Sequence, residues 1–297
     1  MISVVVCSIN PSLALQLEKN IQQTIGVPFE MIVIDNRELK KGINAVYNIG
    51  ASQATYDIIC FLHEDIVFNS FEWGQVLSKL FSENERLGLI GIAGAKYKSR
   101  NDSGWYTGIS AFDCCNIIHL DKNGQQKKMY ANPIDGSHYQ PVVVVDGVFM
   151  CSRKSVWNTI KFDETLLKGF HFYDIDYSFR VSQQFETVVS FQIDITHFTQ
   201  GGDFGNNWIQ YAEIWHDQYQ HKLPFSIDPV KNEESKVFEL KIADTWLNLL
   251  MKEKVSFGFR LKWLRRIGVK VSVKLLMPVI RFLVYDLLKW ALVKKKA

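Results

Sequence analysis

The chain has 297 residues, 47% hydrophobic and 22% charged, an ordinary globular composition long enough for one large α/β domain plus an appendage. Its five cysteines (Cys7, Cys60, Cys114, Cys115, Cys151) are odd in number and form no CxxC pair, which argues against a disulfide framework or a zinc site and fits a reducing compartment. The net charge of +3 hides an asymmetry: from Lys252 onward 13 Lys/Arg face 2 acids, a net of +11, while the body before it carries −8.

No basic stretch precedes the first β-branched run, Ile2 to Cys7, so a cleaved leader is not expected and a buried opening strand is. Pro11 marks a helix start, and helix formers follow to Ile21. Phe29 to Ile34 reads as a second strand ending at Asp35-Asn36, Ile43 to Ala54 as a second helix, and Ile58 to Leu62 as a third strand. This alternation predicts βαβ units and a mainly parallel sheet flanked by helices. The third strand, apolar throughout, runs straight into His63-Glu64-Asp65. A carboxylate at the carboxyl end of such a strand can hold a divalent metal, and through it a diphosphate. Alternatively, Glu64 and Asp65 cap the element that starts near Phe71.

Further along, Phe71 to Phe81 reads as a helix and Leu87 to Ala95 as a glycine-punctuated strand. Residues 96–140 read as loop-rich, with hairpin signals at Asn123-Gly124 and Asp135-Gly136. Val142 to Val145 and Val148 to Cys151 read as strands either side of Asp146-Gly147, and a helix begins at Ser152. Another helix runs from Phe172 to about Phe185, a last strand from Thr187 to Ile195 ends at Thr196-His197-Phe198, and Trp208 to Gln220 is helical. The stretch Gly201 to Asn207 reads as a mobile loop able to close over a ligand. A dinucleotide-binding domain would need Gly-x-Gly-x-x-Gly after the first strand, but Ser8-Ile9-Asn10-Pro11-Ser12 contains no glycine, and no Walker A loop is present. A nucleotidyltransferase would want a basic, Gly-rich loop at the same place.

Four segments, in order, resemble family 2 glycosyltransferases of the GT-A fold over roughly residues 1–205, with similarity to the streptomycin-biosynthesis-type branch. They are Ser3 to Cys7; Val33-Ile34-Asp35-Asn36 with Asn44 to Gly50; Cys60 to Asp65; and Phe162-Asp163-Glu164 leading to Asp174-Ile175-Asp176 and Arg180. The resemblance implies a GT-A, Rossmann-like catalytic domain over residues 1–220, with residues 221–297 as a C-terminal helical appendage. It implies an inverting, metal-dependent transferase moving a sugar from a nucleotide-sugar donor to a lipid-linked or polysaccharide acceptor. Asp35, Asn36, Asn44, Asn48 and Glu64 would contact the nucleotide. Asp65 and His197 would hold Mg²⁺ or Mn²⁺, Asp174 would be the general base, and Asp146-Gly147 would meet the acceptor. The family pattern at the third segment is Asp-x-Asp; here His63 stands at its first position and only Asp65 remains. That departure motivates the alternative of a non-catalytic GT-A-like binding protein.

On the residues alone each role has a structural counterpart. Asp35 is also a turn former, Asp174 and Asp176 also favour a helix N-terminus, and His197 is also a polar strand-end residue. Asp174 and Asp176 point about 200° apart on a helix, so one cleft takes one of them, and Asp174 is nearer the preceding loop. Trp105, Tyr106 and Tyr139 could stack on an acceptor sugar, but as isolated aromatics they read as packing residues.

The tail from Val255 to Val293 is apolar but repeatedly interrupted by charge, and its longest uncharged run, Leu275 to Ile280, is far short of the about 20 residues of a spanning helix. Lys270, Lys274 and Arg281 fall within about 40° of one another on a helix, and Lys294-Lys295-Lys296 follow. The pattern predicts an in-plane helix on anionic lipid, peripheral on the cytoplasmic face of the cell membrane; packing on its own domain or on a second copy is the alternative. Nucleic acid is not expected, because the basic residues are embedded among bulky aliphatics.

Overall fold

A computed structural model describes residues 1–121, 123–131, 136–198, 204–251, 255–267, 279–281 and 284. Lys270, Lys274 and Lys294 to Lys296 of the tail, Asp135 of the second hairpin signal and Gly201 to Asp203 of the glycine-rich stretch lie outside these residues.

The first half of the chain alternates as its periodicity predicts. Strand β1 (Ile2–Ser8) is followed by α1 (Pro11–Thr24), β2 (Phe29–Asp35), the short α2 (Asn36–Leu39), α3 (Ile43–Gln53) and β3 (Ile58–Leu62). Asn10 caps α1 through its side chain and Pro11 opens it; Asp35 caps α2 by accepting from the Arg37 amide. Strand β2 pairs β1, and β1 pairs β3, all parallel.

The chain then leaves this sheet. It passes through His63-Glu64-Asp65 into β4 (Ile66–Phe68), then α4 (Trp73–Glu83). It returns as β5 (Leu87–Gly91) and leaves again as β6 (Ala93–Ala95) and β7 (Tyr97–Lys98). Strands β8 (Asp113–Leu120) and β9 (Gln126–Ala131) form a hairpin, then come β10 (Tyr139–Pro141), β11 (Val144–Val145), β12 (Phe149–Arg153) and α5 (Lys154–Thr159). After α6 (Tyr173–Ser182) come β13 (Glu186–Ser190), β14 (Ile195–Phe198), α7 (Asn206–Tyr219), β15 (Phe225–Ser226), α8 (Asn232–Met251) and α9 (Phe257–Arg266).

The main sheet has seven strands in the order β10-β13-β5-β12-β3-β1-β2, with β12 antiparallel to both of its neighbours and β10 antiparallel at the edge. A second sheet runs β11-β6-β8-β14-β4, with β9 on β8. Two expected strands are therefore each divided between the sheets. Leu87 to Ala95 breaks at Ile92, and Thr187 to Phe198 breaks between Ser190 and Ile195. Gly94 permits the tight crossing, since a Cβ there would lie 2.2 Å from the Val144 carbonyl oxygen. The stretch read as loop-rich holds the eight-residue β8, and of Val142 to Val145 only Val144–Val145 is a strand.

Apolar clusters fill both faces of the main sheet, one beneath α1 and α4, one beneath α3, α5 and α6. A third joins α6, α7, α8 and α9 to Tyr97, Phe112 and Val143. Among the described residues no helix is long and apolar enough to cross a membrane.

Candidate active site

The points where the chain passes between the two sheets carry the polar residues. His63-Glu64-Asp65 links β3 to β4, and Asp146-Gly147 links β11 to β12. His197 lies in β14, which pairs β4 through His197 and Ile66, and the Asp65 carbonyl accepts from the Phe198 amide at 2.9 Å. The His63 amide donates to the Val148 carbonyl at 3.2 Å. Distant segments thus meet at one seam because backbone pairing brings them there.

His63, Asp65 and His197 form a cluster whose ligand atoms all lie within 4.8 Å of one another. His197 Nε2 is 3.3 Å from Asp65 Oδ1, and His63 Nδ1 is 3.9 Å from the same oxygen. His63 Nε2 lies 2.7 Å from the Tyr173 hydroxyl, Tyr173 bonds Tyr47, and Tyr47 donates to the Leu62 carbonyl at 3.3 Å. Because that chain ends on a carbonyl, its hydroxyls both donate away from His63. Nε2–H of His63 then donates to Tyr173, and its Nδ1 lone pair is left facing Asp65. Burial, then the neighbouring His197, push His63 below the ordinary imidazole range, which keeps it neutral. Burial acts to raise the Asp65 carboxyl, but the hydrogen bond from His197 and both imidazoles hold it below the usual carboxylate range. Two imidazoles and a carboxylate fit a borderline divalent ion such as Mn²⁺ better than Mg²⁺, which prefers oxygen. The Nδ1 of His197 is buried without a partner.

Asp174 opens α6 and accepts from the Gly147 amide at 3.0 Å. Burial and the adjacent Asp146 charge push its carboxyl up to about 7. Asp146 accepts from Trp105 Nε1 at 2.6 Å and from the Val148 amide at 2.9 Å. Gly147 is obligatory, since a Cβ there would lie 2.1 Å from the Tyr173 hydroxyl oxygen. Asp176 faces away: it is fully buried, paired with Arg180 at 2.7 Å and accepting from Tyr219 at 3.0 Å.

Other expected residues have local partners. Asp35 is exposed at the carboxyl end of β2, in register with Ser8, and hydrogen bonds from Arg37 lower it to about 2. Asn36 brackets Lys41, its amide donating to the Lys41 carbonyl at 2.9 Å. Glu64 accepts from Ser8 Oγ at 2.6 Å and from the Ile9 and Asn10 amides, so it fixes the β1–α1 turn. Asn44 donates to the Leu167 carbonyl at 2.7 Å, while Asn48 donates to the Phe162 carbonyl at 2.9 Å and accepts from Trp157. These two side chains tie α3 to the loop before α6. His63, Tyr47, Tyr173, His119 and Trp105 join the site without having been expected there. His63 alone had a sequence signal, its place before Asp65.

A parallel-centred sheet with an antiparallel insertion, a second small sheet and acidic strand ends define a GT-A-like α/β protein. Residues 3–219 match the model of the family described as "Glycosyltransferase like family", and the chain belongs to that family. The structure of GalNAc-T7 with UDP, GalNAc and Mn²⁺ is similar at 13% identity and a TM-score of 0.50, over 74% of this chain and 50% of that one. The chain thus spans about half the length of that relative. Residues 1–349 of S. aureus TarS are similar at 12% identity and a TM-score of 0.50, over 95% of this chain and 80% of that one. No curated protein matches the chain.

Proposed function

We propose that the chain is an inverting, metal-dependent glycosyltransferase that moves a sugar from a nucleotide-sugar donor to a glycan or lipid-linked acceptor. The observation that carries this reading is the His63–Asp65–His197 cluster joined, through His63–Tyr173 and Gly147–Asp174, to a carboxyl poised near neutrality. Asp65, His63 and His197 would hold a divalent ion, which when bound would offset charge on the departing nucleoside diphosphate. Asp35 and Asn36, at the neighbouring strand end, receive the nucleoside. Glu64, Asn44 and Asn48 serve the same pocket by holding its turn and walls.

Asp174, ionised above about 7, takes the proton of the acceptor hydroxyl as that oxygen attacks the anomeric carbon. Asp146 keeps Asp174 basic by its charge and, with Gly147 and Trp105, forms the acceptor side. The catalytic unit is residues 1–220. Residues 221–297 form the appendage, whose basic tail rests on the inner face of the membrane and brings the enzyme to a lipid-linked acceptor. Replacement of the first Asp of the Asp-x-Asp pattern by His63 favours one second reading, a binding module without turnover.

Thermal unfolding of the purified protein against nucleoside diphosphates, with and without Mn²⁺, tests the donor site. A ligand at 100 times its Kd adds about 2.7 kcal/mol, a rise of roughly 4 °C for a chain of this length. The expected result is a rise with one base, Mn²⁺-dependent and lost in Asp65→Asn. No shift with any nucleotide overturns the reading.

A further inference from the structure

One row of residues crosses the small sheet at the metal cluster. Ile66 of β4 is in register with His197 of β14, His197 with His119 of β8, and His119 with Lys127 of β9. Residues in register on neighbouring strands present their side chains to the same face. His197, His119 and Lys127 therefore line one wall, each about 4.8 Å beyond the last. The His119 and His197 rings confirm the shared face, with centroids 5.5 Å apart.

His119 Nδ1 is buried with no hydrogen-bond partner. A buried imidazole nitrogen left unpaired costs free energy that a ligand's polar atom recovers. Lys127 is exposed and has no ion pair among the described residues. A second cation does not fit here. The ammonium at the end of the row repels one, and the carboxylate acting on His119, Asp146, already has both oxygens engaged by Trp105 and Val148. An imidazole N–H and an ammonium side by side match phosphate oxygens instead.

We propose that His119 and Lys127 form an anion subsite beside the metal centre that takes a phosphate group of the substrate. The inference rests on the transferase reading and refines its substrate class. The phosphate belongs either to the donor's diphosphate or to a phosphate borne by the acceptor.

Calorimetric titration of the full chain distinguishes these sources, using Lys127→Ala and His119→Gln. Lys127 is exposed and has no ion pair among the described residues, so Lys127→Ala folds whatever becomes of the His119 variant. The probes are Mn²⁺ alone, a nucleoside diphosphate with Mn²⁺, and inorganic phosphate added to the nucleotide-saturated protein. Both variants are expected to bind Mn²⁺ alone as the wild type does. If the subsite serves the donor, nucleoside diphosphate affinity falls about tenfold in each, the scale of one charge-assisted hydrogen bond. If it serves the acceptor, nucleotide affinity holds and inorganic phosphate affinity falls about tenfold. Wild-type affinities for both phosphate probes in both variants overturn the subsite alone. Failure of the wild type to bind Mn²⁺ or any nucleoside diphosphate overturns the transferase reading and the subsite with it, so the two failures are separable.

Discussion

Two aspartates two residues apart on α6 do opposite work. Asp174 sits at the seam against Gly147 with its carboxyl near 7; Asp176 lies under the fold against Arg180 and Tyr219. Asp174→Asn is expected to lower turnover by about 10²–10⁴ and leave the melting temperature little changed. Asp176→Asn strands Arg180 and is expected to cost about 3 kcal/mol of stability while the protein that remains folded keeps its turnover rate. The base must be ionised, so wild-type turnover should rise with pH through about 7 and level above it. Melting curves and a pH–rate profile check all three. A profile flat from pH 5 to 8 would remove Asp174 from the base role, because an ordinary carboxyl titrates near 3.9.

At this scale the sequence singled out Asp65 and Asp146 as polar residues at the ends of apolar strands, and the resemblance singled out His197 and Asp174; folding groups Asp65 with His197 and sets Asp146 beside Asp174. The sequence did not carry Tyr47, Tyr173 or His119. A tyrosine in an apolar helix face reads as core, and its hydroxyl gains meaning only when folding brings His63 to 2.7 Å. The resemblance implies nucleotide contacts for Asn44 and Asn48; the hydrogen-bond partners folding gives them, Leu167 and Phe162, lie more than a hundred residues away.

Among elements, the opening β1-α1-β2-α3-β3 run was legible almost to the residue, since β1 and β3 are buried along nearly their whole length and α1 has a sequence-marked start at Asn10-Pro11. Leu87 to Ala95 and Thr187 to Phe198 read as single strands because apolar character continues through each sheet change. The change itself is set by partners remote in sequence: Gly94 pairs Cys114, while His197 pairs both His119 and Ile66. Strand β8 was hidden for a related reason. Its run, Asp-Cys-Cys-Asn-Ile-Ile-His-Leu, mixes polar and apolar residues without clean alternation, yet most of it is buried between β6, β9 and β14. The Asn123-Gly124 turn after it was legible, because Gly124 adopts a positive φ of 75°.

Across the whole molecule, the split between an acidic body and a basic C-terminal region has a structural side. Arg266 of α9 pairs with the buried Asp102 at 2.6 Å and with Asp217 at 2.8 Å, and Lys262 pairs with Glu213. Trp246 of α8 stacks on Trp208 of α7 with centroids 4.7 Å apart. The first part of the basic region is thus spent holding α9 to the body. The account stands or falls on whether the seam between the two sheets turns over a donor. The direct measurement is release of nucleoside diphosphate from a panel of nucleotide sugars with Mn²⁺, by the full chain and by Asp65→Asn and Asp174→Asn. The account predicts release from one donor, abolished in Asp65→Asn and strongly slowed in Asp174→Asn. Saturable nucleotide binding with no release from any donor, supplied with glycan and lipid-linked acceptors, would contradict it and leave a binding module in its place.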